Sequence, residues 1–233
     1  MRKKTTFTRD RALEVMRPLA EVLTPSQSQE FLRNVQVLQL KPGEELYREG
    51  DFPVYLCCLA DGAIKVSRHG VSREIILRII LEKGIFGYRS FFAHQSHITT
   101  AAAFTDAVVY VVPLRLVDKW MSDNAMLAGF FVNELSIDLG RSDARLLNFT
   151  QKKLRGRLAD ALLMLISKFG YEDDGETISA RLSREDLACL ANMERANAIR
   201  TLAAFVDEGI IESSGRAIKI KDLKALQTTS RIG

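Results

Sequence analysis

Leu182-Ser183-Arg184-Glu185-Asp186-Leu187-Ala188-Cys189-Leu190-Ala191-Asn192-Met193-Glu194-Arg195-Ala196-Asn197-Ala198-Ile199-Arg200 is the stretch whose reading decides the fold of the C-terminal third. Ser183 stands where a helix N-cap is needed, and Asp186 three residues on approximates a capping box with aspartate in place of glutamate. Leu187 and Leu190 then face inward, and the small Ala188 allows a second helix to approach closely. Asn192 falls at a tight turn that needs a residue tolerant of positive φ, glycine or next asparagine. Met193 packs that turn. A second helix follows from about Glu194 to Asp207, with Ala198, Ile199, Leu202, Ala203, Phe205 and Val206 as its buried face.

Beyond that helix, Gly209 serves as a left-handed stop. Ile210-Ile211-Glu212, the turn Ser213-Ser214-Gly215 and Ala217 to Ile220 make a hairpin. Helix, turn, helix and hairpin in this order spell a winged helix-turn-helix, whose partner is double-stranded DNA. Arg195, Asn197 and Arg200 lie near the start of the second helix, the end that reaches base edges in the major groove. Arginine pairs with guanine and asparagine with adenine through two hydrogen bonds each. Ser183 and Arg184 open the first helix and suit phosphate. Arg216 and Lys219 are placed on the wing near phosphates. Any one of these arginines alone reads as a solvated helix face; the ordered series is what points to DNA.

Working outward, Leu154 to Phe169 has helical spacing and is closed by Gly170 and the acidic loop Glu172-Asp173-Asp174-Gly175. From Asp123 to Lys153 there is no proline, and two apolar stripes are drawn. One carries Leu127, Phe131, Leu135, Leu139, Leu146 and Phe149; the other carries Phe130, Ile137 and Leu147. Two stripes suggest two partners, the N-terminal domain and the same helix of a second subunit in a homodimer; the alternative is a helix buried within one monomer. Between Val35 and Pro113 the pattern changes to short strands among glycines: Val35–Leu40, Leu56–Leu59, Ala63–Ser67, Glu74–Ile80 and Val108–Val112, with Val71–Arg73 as a loop tip. This is the pattern of an antiparallel barrel or jelly roll. Helical spacing over residues 10–32 puts Leu13, Met16, Leu19 and Ala20 on one face, and Thr24-Pro25 opens a helix containing Phe31 and Leu32.

The fold class is therefore α+β: an N-terminal double-stranded β-helix, a long dimerisation helix and a C-terminal winged helix-turn-helix. The expected domains are residues 1–122 (helices and β-roll), 123–153 (dimerisation helix), 154–227 (DNA-binding domain) and a polar tail, 228–233.

The 233 residues are 47 % hydrophobic and 27 % charged with net charge +4, the balance of a globular chain that tolerates a polyanion partner. Met1-Arg2-Lys3-Lys4 is not followed by an apolar stretch of the secretory kind, and no run approaches the ~18 apolar residues of a membrane span. A cytoplasmic location with no membrane partner is expected. Cys57, Cys58 and Cys189 form no CxxC pair, so reduced thiols are expected rather than a disulfide or metal framework.

Pro42-Gly43-Glu44-Glu45-Leu46-Tyr47-Arg48-Glu49-Gly50-Asp51, Asp61-Gly62-Ala63-Ile64-Lys65-Val66, Ser183-Arg184-Glu185-Asp186-Leu187-Ala188 and Ile199-Arg200-Thr201-Leu202 together resemble the Crp/Fnr family of bacterial transcription regulators, from about Leu38 to Ile220. The resemblance implies a cyclic-nucleotide-binding-like β-roll, a dimerisation helix, a homodimer on a pseudo-palindromic site and contact with RNA polymerase. Arg200 matches the family's base-contacting arginine and Arg195 a second DNA-contacting position. Ala196 replaces the acidic residue often found beside it, which shifts the expected half-site because a carboxylate acceptor for cytosine is lost.

Cyclic-nucleotide binders of this fold carry a Gly-Glu pair and, about ten residues on, Arg-Ser or Arg-Thr. Here the stretches read Gly87-Tyr88 and Ile98-Thr99, so cyclic AMP is not the expected effector, and the effector is left unnamed. If a ligand binds, Tyr88, Arg89, Ser90, Thr99 and Thr100 are its expected lining. Residues 1–30 hold no cysteine for an iron–sulfur cluster. His69, His94 and His97 leave haem ligation open, although His94 and His97 read as solvent-facing loop residues. No cofactor is expected and no enzymatic activity. Two competing classes are a cupin-like, metal-dependent β-roll enzyme, for which the His-x-His pair is missing, and a cyclic-nucleotide-type signalling module, which the winged helix argues against.

Overall fold

The computed structural model describes residue 8 and residues 11–232, so the basic opening Met1-Arg2-Lys3-Lys4 lies outside the described residues. The chain forms two compact units. One comprises Met1–Arg68 and Leu77–Gly140; the other comprises His69–Ile76 and Arg141–Gly233. The loop tip expected at Val71–Arg73 thus belongs to the C-terminal unit.

In the N-terminal unit, α1 (Ala12–Val15), α2 (Arg17–Ala20) and α3 (Pro25–Asn34) precede the strands. Thr24 caps α3 as its sequence predicts: its hydroxyl accepts from the Gln27 amide while the Gln27 side chain accepts from the Thr24 amide. The strands are β1 (Gln36–Leu40), β2 (Glu45–Tyr47), β3 (Tyr55–Asp61), β4 (Ile64–His69), β5 (Glu74–Ile80), β6 (Ile85–Phe86), β7 (Thr100–Ala103) and β8 (Ala107–Pro113). They form two four-stranded sheets in the orders β1-β8-β3-β6 and β2-β7-β4-β5. The five expected strands are present. The unforeseen ones, β2, β6 and β7, are two to four residues long, and β7 is mostly alanine, a poor strand former on its own.

The apolar runs of β3 and β8 are nearly continuous because both faces are covered. Cys57 and Leu59 of β3, with Val109 and Val111 of β8, pack into the roll against Ile64, Val66 and Ala101. The alternate residues Leu56, Cys58, Tyr110 and Val112 pack outward against Met16, Leu19 and Phe31 of the helical layer. A period of two divides one run between two cores. Two glycines are required by this packing. Gly62 has φ +88°, and a Cβ there would lie 2.1 Å from the Asp106 carbonyl; Gly87 has φ +89°, and a Cβ would lie 2.6 Å from the Tyr55 carbonyl.

Three helices follow: α4 (Arg89–Phe92), α5 (Leu114–Asp123) and the long α6 (Ala125–Gln151). Here the expected stripes need correction. Leu127, Phe131 and Asp138 are the buried positions of α6, whereas Leu139, Leu146, Leu147 and Ile137 are exposed. Leu139 and Leu146 therefore do not continue the stripe of Leu127 and Phe131. The buried face passes to Asp138, which accepts a hydrogen bond from Arg78 at 2.5 Å. Val132, Leu139 and Leu146 instead lie seven residues apart along the exposed side.

The C-terminal unit contains α7 (Leu154–Phe169), α8 (Arg184–Leu190), α9 (Arg195–Asp207), the hairpin β9 (Ile211–Ser214) and β10 (Ala217–Ile220), and α10 (Leu223–Ile232). Gly170, at φ +68°, ends α7. The expected polar tail is a helix. Asp222 accepts from the Ala225 amide at its start, Leu226 is buried, and Ser230 hydrogen-bonds Asp160 of α7. Among the described tail residues the buried one is the polar Ser230, while Ile232 is exposed, so composition alone read the tail as solvated. The buried face of α9 is also narrower than expected: Ala198, Thr201, Leu202 and Phe205 are buried, while Ile199, Ala203 and Val206 are exposed.

Candidate nucleic-acid interface

Ser183 accepts from the Asp186 amide at 3.0 Å, and its hydroxyl donates to the Asp186 carboxylate at 2.6 Å. Aspartate is a methylene shorter than glutamate, and here it meets the cap hydroxyl. Asn192 adopts φ +50°, the left-handed conformation the turn requires, and Met193 is buried beneath it. Leu187, Ala188 and Leu190 are buried on α8, so α9 lies close against it.

The exposed end of α9 carries Arg195 and Arg200, with Asn197 half-buried between them. Arg200 donates through Nη2 to Asn197 Oδ1 at 2.6 Å. Arg195 Nε lies 3.9 Å from Glu185 Oε2 of α8. Arg200 and Asn197, two of the three residues expected to read bases, therefore hold each other in place. Such a pair on an exposed surface contributes little to folding and is cheap to exchange for a base edge.

Ser183 and Arg184 lie together at the N-terminus of α8, but Arg184 Nη2 donates to Ser213 Oγ of β9 at 2.6 Å. It braces the wing against the helix-turn-helix. Arg216, with Gly215, forms the two-residue turn between the paired Ser214 and Ala217, and it is exposed. Lys219 differs from expectation. Its Nζ lies 2.8 Å from Glu176 and 3.7 Å from Asp174, so it is turned to the acidic loop after α7. The ion pair raises the Lys219 pKa and lowers that of Glu176. Asp174 accepts from the Thr177 hydroxyl and from the Thr177 and Glu176 amides, which hold its carboxyl well below the usual range.

The five residues expected to line an effector pocket differ in exposure and in partners. Tyr88 is 1 % exposed and packs between Phe92 and Phe131, with ring centroids 6.0 and 5.2 Å away. Burial also raises its pKa. Ser90 is buried, Arg89 is exposed, and Thr99 and Thr100 are half-buried. Thr100 Oγ1 accepts from the Glu49 amide, and Thr99 hydrogen-bonds Tyr47. An open depression between Leu40 and Asp51 includes none of the five.

His97 corrects a further expectation. It is 5 % exposed, not solvent-facing, and its ring stacks on Tyr47 at 3.7 Å. Burial lowers the His97 pKa and raises that of Tyr47 to about 12. A loop of polar composition concealed this, since the stack depends on a strand fifty residues earlier in the chain. Tyr88 and Ile98, the two residues that the family resemblance aligns with a sugar-binding glutamate and a phosphate-binding arginine, are a buried ring and an exposed aliphatic side chain respectively. Cys57, Cys58 and Cys189 are buried thiols that form no disulfide. No group of three or more His, Cys, Asp or Glu able to hold a metal occurs among the described residues. Among the same residues no helix is long and apolar enough to cross a membrane.

A β-roll followed by a long helix and a winged helix-turn-helix with exposed basic residues defines a DNA-binding regulator of the sensor-and-reader class. Comparison with known proteins specifies the family. Residues 37–124 match the cyclic nucleotide-binding domain profile and residues 156–229 the Crp-like helix-turn-helix domain profile. The chain is similar to the CRP-like cAMP-activated global transcriptional regulator of Mycobacterium tuberculosis, 24 % identical over 209 residues that span 89 % of this chain and 93 % of that one. It is also similar to the global nitrogen regulator of Synechococcus elongatus, 26 % identical over 196 residues, 82 % of this chain and 88 % of that one. A solved structure described as a transcriptional regulator of the Crp/Fnr family from Eubacterium rectale shares the fold, with TM-score 0.81 at 21 % identity, covering 92 % of this chain and 98 % of that one. The chain belongs to the Crp/Fnr family and is a DNA-binding transcription regulator of that type.

Proposed function

We propose that this protein works as a homodimer on a pseudo-palindromic DNA site and that its effector, if it has one, is not cyclic AMP. The observation that carries the DNA-reading assignment is the exposed N-terminal end of α9, where Arg195, Asn197 and Arg200 face outward over a buried helix-turn-helix core. Arg195 and Arg200 are the base-reading arginines, Asn197 supports Arg200, and Ser183 and Arg184 meet the phosphate backbone. Self-association is supported by the exposed Val132, Leu139 and Leu146 on α6, whose heptad spacing suits a two-stranded helical seam. The M. tuberculosis relative is described as cAMP-activated. Tyr88 and Ile98 in this chain argue against carrying that effector over. Contact with RNA polymerase, a cytoplasmic location and the absence of catalysis follow from the family reading. The domain division proposed is a β-roll region over 1–122, a dimerisation helix over 123–153 and a DNA-binding domain over 154–227.

The test is selection of bound duplexes from fragmented genomic DNA with the full-length protein, followed by footprinting. An enriched site with two inverted half-sites about one helical turn apart is expected. Recovery of fragments without any shared sequence would remove the reading.

A further inference from the structure

The tip of the β4–β5 hairpin, His69–Ile76, groups with the C-terminal unit through a set of arginine contacts. Arg73 Nη1 lies 2.6 Å from Glu194 Oε1, across 121 residues of chain. Its Nη2 donates to Asn192 Oδ1 at 3.0 Å and to the Asn192 carbonyl at 3.4 Å. Arg157 Nη1 donates to that same carbonyl at 2.9 Å. Arg145 Nη2 joins the Ile76 carbonyl at 2.5 Å to the Leu190 carbonyl at 3.0 Å. Three guanidinium groups thus engage the last residue of α8, the left-handed turn and the N-cap residue of α9.

Each of these partners controls where α9 points. Leu190 contributes a helix-terminal carbonyl, which needs a donor from outside the helix. Asn192 holds a conformation that non-glycine residues seldom adopt. Glu194 is the N-cap residue of α9, yet its side chain makes no cap hydrogen bond and turns to Arg73 instead. The arrangement is costly. The Nε atoms of Arg73, Arg145 and Arg157 are buried without a hydrogen-bond partner, which costs desolvation that nothing at those atoms returns. Burial lowers the Arg145 pKa to about 10, so the group still carries its charge at neutral pH. Three such penalties at one turn identify a joint held for its geometry.

Charge adds a second reason. Glu194 directly precedes Arg195, so its carboxylate stands at the end of α9 that approaches DNA. Left unpaired there it would repel phosphate. The Arg73 guanidinium neutralises it.

We propose that Arg73 is a positioning residue for DNA binding, which sets the α8–α9 turn through Asn192 and cancels the charge of Glu194. The proposal rests on the DNA-reading assignment above. Its test uses full-length protein and, as probe, the duplex most enriched in the wild-type selection, with affinity read by fluorescence anisotropy. If the wild type enriches no duplex, the DNA-reading assignment fails before any variant is made. Arg73→Ala is expected to bind at least about fivefold more weakly, with unchanged circular dichroism. A charge-swapped double variant, Arg73→Glu with Glu194→Arg, is expected to bind at least about fivefold tighter than the weaker of its two single variants. Glu194→Arg is also measured alone, so that the gain from added positive charge is subtracted and only the non-additive part counts as rescue. A smaller loss in Arg73→Ala, or a smaller rescue in the double variant, overturns the proposal. Glu194 is exposed, so its single variant and the swap retain the test even if Arg73→Ala fails to fold.

Discussion

Arg200 and Asn197 are bonded to each other before any DNA arrives. The pair presets the guanidinium on the exposed face, and in the proposed reading binding would exchange this hydrogen bond for base contacts. Arg200→Ala should weaken binding to the selected duplex by ~1–3 kcal/mol and relax preference at one base per half-site, as read by anisotropy and repeated selection. An unchanged footprint would remove Arg200 from base readout. Asn192 was legible in the sequence because few residue types accept a left-handed backbone at a tight turn. Arg73 was legible only as part of a loop tip, since its partners lie more than a hundred residues away and no local pattern connects them.

At the scale of elements, the acidic loop and the wing form one electrostatic unit. Lys219 of β10 pairs with Asp174 and Glu176, while the surrounding donors keep the Asp174 carboxyl ionised into strong acid. A depressed folded-state pKa stabilises the fold above the unfolded value, and that contribution is lost as the pH falls toward the folded value. Asp174→Asn should therefore lower the denaturation midpoint near neutrality, and the difference from wild type should shrink below about pH 4, followed by denaturant titration across that range. An equal difference at both ends would contradict the assignment. Helix α6 carries the second prediction at this scale. Val132→Glu with Leu139→Glu places like charges on the exposed heptad line. Analytical ultracentrifugation should then show monomer where the wild type shows dimer, with helix content unchanged; a wild-type monomer would discard the seam. The two faces of α6 were not separable by hydrophobicity alone, because the buried face ends in Asp138 and the exposed face is itself apolar.

For the whole molecule, the proposal that cyclic AMP is not the effector rests on Tyr88, which is buried in the core, with the stack of Tyr47 on His97 as a second packed aromatic contact of the roll. Calorimetric titration of the full-length protein with cyclic AMP should show no saturable heat in the micromolar range, and micromolar binding would refute this. The sequence by itself determined the kinds of element and their order, because caps, left-handed turn residues and a period of two are written in neighbouring residues. It also singled out the N-terminal end of α9 as the end proposed to read DNA, which depends only on distance from a helix start. Tertiary structure alone decided which alternate residues of β3 and β8 enter which core. It likewise decided that His97 and the terminal helix are docked and that Arg73, from a distant hairpin, bonds Asn192 and Glu194 at the α8–α9 turn. Those outcomes depend on contacts between residues far apart in the chain, where burial and pairing override what local composition prefers.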